Sequence, residues 1–185
     1  MSIAQIEQAF IDIAKARFGT HLRTVESLPA DWDSETFKRI LRLAPGLFVV
    51  FGGGAAMDQS TDIRSQWVLL AVTAHASGER ARRHGDSREI GAYEIIETAV
   101  PLFHDRQVPG VGLIRFEAIE NLFTAAIEEQ GAAIYGARFS LPMTITAPPP
   151  GGTDPLDAFL TFNSTLDAAP ADGRPEAEDV VVLPQ

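Results

Sequence analysis

Three consecutive glycines, Gly52-Gly53-Gly54, follow an apolar stretch that ends at Phe51. A glycine loop between a strand and a helix can cradle phosphate, because its backbone N–H groups and the helix N-terminus face the anion together. That chemistry also needs a Lys-Ser or Lys-Thr pair, or a G-x-G-x-x-G spacing. Position 57 is Met57 and neither pattern is met. The glycines therefore read as a flexible strand-to-strand connection. The four histidines, His21, His75, His84 and His104, show no i, i+2 or i, i+4 spacing and no ligand pattern with carboxylates. Zinc sites usually announce themselves by such spacing, so no metal ligand is assigned. No G-x-S-x-G run exists to form a nucleophile elbow. The 25 acidic residues could be paired in many ways, so no carboxylate pair can be singled out for glycoside chemistry. Glu117 and Glu120 interrupt an apolar stretch and read as solvent-facing strand residues. Asn163-Ser164-Thr165 matches a glycosylation acceptor, but no secretion signal accompanies it. No catalytic residue and no cofactor is expected.

One local cluster stands apart. Arg80, Arg82, Arg83, His84 and Arg88 are interleaved with Glu79, Asp86 and Glu89. A basic segment in an acidic chain has two readings. One is a solvated loop. The other is a docking site for an acidic protein surface, since loops often carry function and opposite charges steer association. The acidic C-terminal arm of a neighbouring copy is one candidate partner.

The bulk of the chain agrees with a protein that works by contact. It has 185 residues, of which 45% are hydrophobic, and it carries a net charge of −10. That length suits one domain with an extension. The acidic balance disfavours binding to a phosphate backbone, so no nucleic-acid reading is expected. There is no cysteine, which excludes disulfides, thiolate metal sites and a Cys nucleophile. No basic region precedes an apolar run at the N-terminus, and the apolar runs Gly46–Phe51 and Trp67–Ala74 are too short to span a bilayer. A soluble protein is expected. Residues 147–185 hold seven acidic side chains and one basic one, a net −6 of the total −10.

The elements that must position these residues follow from periodicity. Residues 2–18 form the clearest helix: Ser2 and Gln5 have capping-box spacing, and Ile3, Ile6, Phe10 and Ile13 recur on one face before Gly19. Residues 20–28 read as a short edge strand. Pro29–Asp33 makes a turn, and a short helix capped by Ser34 runs to Leu43. Gly46–Phe51 reads as a buried strand, 52–62 as a loop, and Arg64–His75 as a central strand. In that strand Trp67, Leu69, Ala71 and Thr73 share one face, and Val68, Leu70 and Val72 the other. Residues 76–90 read as a long loop, and 91–103 as a helix that Pro101 should kink or end. Leu113–Ala125 and Ala132–Ile145 read as an antiparallel hairpin. Ala147-Pro148-Pro149-Pro150-Gly151-Gly152 is a linker, followed by Leu156–Leu166 and a short β-type end at Val180–Leu183. The expected fold is α+β, a mostly antiparallel sheet packed by two or three helices, with the helices on one face. Residues 1–146 form the domain and 147–185 a Pro/Gly-rich acidic arm.

Several of these segments resemble a family of tail proteins from Mu-like phages and prophages. Ala44-Pro45-Gly46-Leu47-Phe48-Val49-Val50-Phe51-Gly52-Gly53 is similar to its APxxxVxYxGG run, and Gly91-Ala92-Tyr93-Glu94-Ile95-Ile96 to its GxYxLL helix start. The segments 116–123 and 132–139 resemble its closing strand pair, and the similarity covers residues 1–146. The resemblance implies a structural protein of the tail-terminator type. Such proteins form a ring, typically of six, on the end of the tail tube, halting its growth and presenting a surface for head joining. It implies as partners further copies of the chain, the tube protein and a head-completion or neck protein, with no membrane. It places the protein in the host cytoplasm during assembly and in the virion tail afterwards. Within the structural class the alternatives are a neck adaptor or a minor tail subunit. A different class is a small acidic module that binds a host factor. An enzyme would need a constellation of perturbable groups that the sequence does not display.

Overall fold

The computed structural model describes residues 1–30, 33–58, 61–74, 78–122, 127, 130–147, 161–166 and 177–182. His75, the strand reading of 123–125, the prolines of the linker, residues 156–160 and Leu183 lie outside them.

The chain begins with α1 (Ile3–Phe18). Its N-terminus is the expected capping box: Ser2 Oγ accepts from Gln5 N at 3.2 Å, and Gln5 Oε1 accepts from Ser2 N at 2.8 Å. Gly19, at φ +53, ends it. The deepest face is Ile6, Phe10, Ala14 and Phe18, with Ile3 and Ile13 at its margin. A short 3-10 turn leads to β1 (Thr24–Leu28). The next helix, α2 (Ser34–Arg42), is capped by Asp33, not Ser34: Asp33 Oδ1 accepts from Thr36 N at 2.7 Å, which lowers its carboxyl pKa. Two long strands follow, β2 (Gly46–Ala56) and β3 (Asp62–Ala74). Helices α3 (Glu79–His84) and α4 (Ala92–Phe103) come next. A miniature ladder, β4 (Gln107–Val108) with β5 (Gly112–Leu113), precedes β6 (Arg115–Asn121) and β7 (Ala132–Thr144).

The main sheet has the order β1-β2-β3-β7-β6. Only the β1–β2 pair is parallel. β3 and β7, each of 13 residues, pair along their whole length, so β3 is central as its doubly apolar pattern requires. Leu47, Val49, Trp67, Leu69, Ala71, Ala137 and Phe139 face α1 and α4. Phe48, Val50, Leu70, Val72 and Ile134 form a second cluster closed by Ile40 of α2. The helices thus occupy both faces, contrary to the one-face expectation. The reason is that β2 and β3 are apolar on both sides and each side must be covered.

Trp67 is the hub of the larger core. Its ring stacks on Phe10 at 5.2 Å and meets Phe51 at 5.0 Å. Phe10 stacks on Phe103 at 5.0 Å, and Phe139 links Phe103 to Phe116. Trp67 Nε1 donates to Ser65 Oγ at 3.0 Å, and Ser65 Oγ donates to Leu141 O at 2.7 Å, so the buried polar atoms are satisfied.

Two loop readings change, and the Pro101 expectation holds. Residues 52–56 continue β2, with a register slip between Phe51 and Gly54. Gly53 sits at φ +94, and a Cβ on Gly54 would come 2.8 Å from Ile63 Cδ1. The glycines therefore build a bulge in a strand that pairs with β3, and no helix N-terminus follows them. The long loop at 76–90 contains α3. Pro101 falls in the last turn of α4, which stops two residues later.

By Cα proximity the chain forms two compact units, Met1–Ile145 and Thr146–Gln185. In the second, β8 (Thr161–Leu166) and β9 (Ala177–Val182) make a two-stranded antiparallel sheet. Among the described residues no helix is long and apolar enough to cross a membrane.

Removing the hub should be costly while trimming an exposed strand residue should not. Trp67→Ala is expected to lower the unfolding free energy by about 3–5 kcal/mol. Ile119→Ala is expected to change it by less than about 0.5 kcal/mol. Urea unfolding followed by circular dichroism measures both, and equal effects would contradict the assignment of the hub.

Candidate protein interface

The basic cluster folds into a short helix and the turn after it. Arg80, Arg82, Arg83 and His84 lie on α3, and Arg88 lies beyond it. The cluster divides by role. Arg83 points into the protein: Nη2 donates to Glu79 Oε2 at 2.8 Å and Nη1 to Tyr93 Oη at 3.1 Å. Its guanidinium sits 5.8 Å from the Tyr93 ring centroid, and His84 meets the same ring edge-on at 5.1 Å. Arg82 is tied through its backbone, where its carbonyl accepts from the buried Thr73 hydroxyl at 2.7 Å. Arg80, His84 and Arg88 are exposed.

Two glycines make this arrangement possible. The backbone of Gly91, which precedes α4, crosses that of Arg83, His84 and Gly85 so closely that a Cβ on Gly91 would overlap all three. Gly85, at φ +74, ends α3 by donating to Ala81 O at 2.7 Å. Asp86 Oδ1 then accepts from Arg88 N and Glu89 N at 2.7 and 3.0 Å, which turns the chain back toward α4. Residues 78–91 are therefore a packed corner.

The chain's only two tyrosines meet there. Tyr93 and Tyr135 touch at 3.4 Å between hydroxyls, with rings edge-on at 5.1 Å. The Tyr135 hydroxyl, and then the Arg83 guanidinium, hold the Tyr93 phenol below its ordinary value of 10. Burial, and then the bond to Tyr93, push Tyr135 up to about 12. Arg83 is held more firmly protonated than usual by Tyr93 and then Glu79.

A second surface lies at the far edge of the sheet. Among the described residues β6 has a strand neighbour, β7, on one side only. Its Phe116 N donates to His104 Nδ1 at 3.2 Å. Asp105, at φ +59, pairs with Arg115 and with His104, which fixes the end of α4 to the start of β6. Ile119, one residue past the midpoint of β6, is 54% exposed. An open groove of about 600 Å³ crosses the sheet face from β3 over β7 to this edge strand. Met57, Leu113 and Pro142 give it apolar walls, and Arg64, Arg115 and Glu117 give it charge. A shallower hollow of about 230 Å³ shares Met57 and Pro142 and reaches Thr144. Glu117 and Glu120 face Arg138 at 3.7 and 2.7 Å.

Sequence reading did not find this second surface. Met57, Leu113, Ile119 and Pro142 are unremarkable apolar residues in the chain, and only strand order brings them to this surface. Among the described histidines, His21 follows α1, His84 ends α3 and His104 caps α4.

Comparison with known proteins adds two findings. The family model described as "Bacteriophage Mu, Gp37" matches residues 2–144. The chain is also 26% identical to "Mu-like prophage FluMu protein gp37" of Haemophilus influenzae over 176 residues, covering 93% of this chain and 87% of that protein.

The tyrosine pair gives a direct readout of the corner. Absorbance titration at 295 nm should show two steps, the first below pH 10 and the second near 12, belonging to the coupled pair. Tyr93→Phe should remove the first. Between pH 10 and 12 the unfolded chain binds fewer protons at Tyr135 than the folded one, so Tyr135 makes stability fall as pH rises through that window. Gly91→Ala should displace α3 and move the first step back toward 10. An unchanged titration in that variant would refute the crossing.

Proposed function

The chain belongs to the bacteriophage Mu Gp37 family, and from that premise we propose that it is a structural tail protein, a terminator that closes the end of the tail tube. Copies assemble head-to-tail into a ring, with six as the expected number. One face of the ring meets the tube protein and halts its polymerisation, and the other meets a head-completion or neck protein. The observation that carries this reading is the coincidence of two spans. The family match at 2–144 covers nearly all of the compact unit Met1–Ile145, so the family's role is that of this whole folded unit.

Surface chemistry supports a role by contact. A ring needs two different patches on each subunit that complement each other. Single exposed apolar residues are common, but Met57 and Leu113 at 43% and 36% exposure line one groove that reaches the edge strand β6. Arg80, His84 and Arg88 supply a separate exposed basic patch for an acidic partner surface. The ring subunit requires no cofactor.

The test is genetic. With the gene disrupted in its prophage and the phage induced, electron microscopy should show overlong or ragged tubes without heads. Tails of normal length that fail to join heads would reassign the protein as a neck adaptor. Normal virions would refute a structural role and favour an acidic module that binds a host factor.

A further inference from the structure

We propose that the outer edge of β6 receives the C-terminal hairpin β8–β9 of a second copy, which adds to the sheet as further strands. This rests on the ring reading above for the closure of the assembly, and it names the joint between neighbours.

Four observations meet in it. First, β6 is a seven-residue edge strand with no strand on its outer side among the described residues. Edge strands offer unpaired N–H and C=O groups to a further strand unless they are blunted. Here the charges of Glu117 and Glu120 are already engaged with Arg138, and the features that blunt the edge, a bulge between Phe116 and Ala118 and the Phe116 N–H donated to His104 Nδ1, are confined to the start of the strand. Second, the most exposed large hydrophobic side chain of β6 is Ile119, one residue past its midpoint, at 54%. Burying it needs a neighbour on the outer side.

Third, among the described residues β8 and β9, strands of six residues each, pair with each other, from Thr161↔Val182 to Leu166↔Ala177, and with no further strand. An isolated two-stranded hairpin is marginally stable in water, whereas three or more strands with a hydrophobic face can be stable. The lengths of donor and acceptor match. Fourth, the charges complement each other. Residues 147–185 hold seven acidic side chains and one basic one, and the β9 sequence joins Glu178 and Asp179 to three valines. The groove, which crosses the sheet face from β3 over β7 to β6, holds the exposed Arg64, without an ion pair among the described residues, and the apolar Met57, Leu113 and Pro142, while its Arg115 and Glu117 are already paired with Asp105 and Arg138.

A second copy is favoured over an unrelated protein because donor and acceptor are both present in every chain and are different surfaces. Each copy then gives one hairpin and receives one, a heterologous contact that propagates and closes when the rotation fits.

The absence of cysteine allows a clean experiment on the full-length chain. Ile119→Cys and Val181→Cys are made separately, with tags of different mass, then mixed and oxidised. Mixed disulfide dimers are expected, with far less product from either variant alone. Leu113→Cys on the groove wall serves as a second acceptor probe. The double variant I119C/V181C should give covalent oligomers. Arg64→Glu should raise the concentration for half-assembly about tenfold and weaken its dependence on salt. An intramolecular disulfide in the double variant, an Ile119→Cys homodimer as the main product, or no crosslink at either acceptor would each overturn the proposal. Crosslinking in a protein whose disruption leaves tail length normal would keep the joint and reject the terminator. Overlong tails without crosslinking would do the reverse.

Discussion

The ring of Trp67 sets the conditions that the rest of the first unit meets. A side chain of that size at the middle of a central strand must be covered on every side, and four elements supply the cover. Phe10 of α1 lies flat on it, Phe51 of β2 closes one flank, and Phe103 of α4 and Phe139 of β7 extend the stack toward β6. Its indole N–H is the one atom that apolar cover would penalise, and Ser65, itself bonded to Leu141 O, removes that penalty. The two helices on this face are therefore held by the same aromatic column, which couples α1, α4 and three strands.

The opposite face is treated unequally along its length. From Leu70 to Val72 it is apolar and lies under α2. In the other direction the same face of β3 and β7 carries Arg64, Gln66, Arg138 and Ser140, with Gln66 opposite Ser140, Arg64 opposite Pro142 and Arg138 opposite Val68. Gln66 and Arg138 reach Glu117, and Arg138 reaches Glu120. Such a surface tolerates water, so α2 need be no longer than its nine residues. The consequence is a sheet with one sealed face and one half-open face, and a groove that crosses the open half toward β6.

The basic corner illustrates how a charge cluster changes meaning on folding. Arg83 bridges Glu79 and Tyr93 and belongs to the interior of the corner, while Arg80, His84 and Arg88 remain on the surface. A reading by charge alone treats the five residues as equivalent. The crossing of Gly85 and Gly91 separates them, because it fixes which side of α3 lies on α4.

Local signals determined much of this protein. The capping box and apolar period placed α1, the doubly apolar run of 67–72 marked β3 as central, and the segments around Phe116 and Ala132 gave the antiparallel pair. These features depend on neighbours within a few residues, so they are written in the chain. The motifs at Ala44–Gly53 and Gly91–Ile96 also carried the family. Tertiary structure alone decided the rest. The role of Gly52–Gly54 as a bulge depends on Ile63 and Arg64 across the ladder, and the helix at 79–84 depends on Thr73 and Gly91. The exposure of Ile119 depends on which strand is last in the sheet. Strand order is set by contacts between residues far apart in the chain, and no spacing within a segment encodes it.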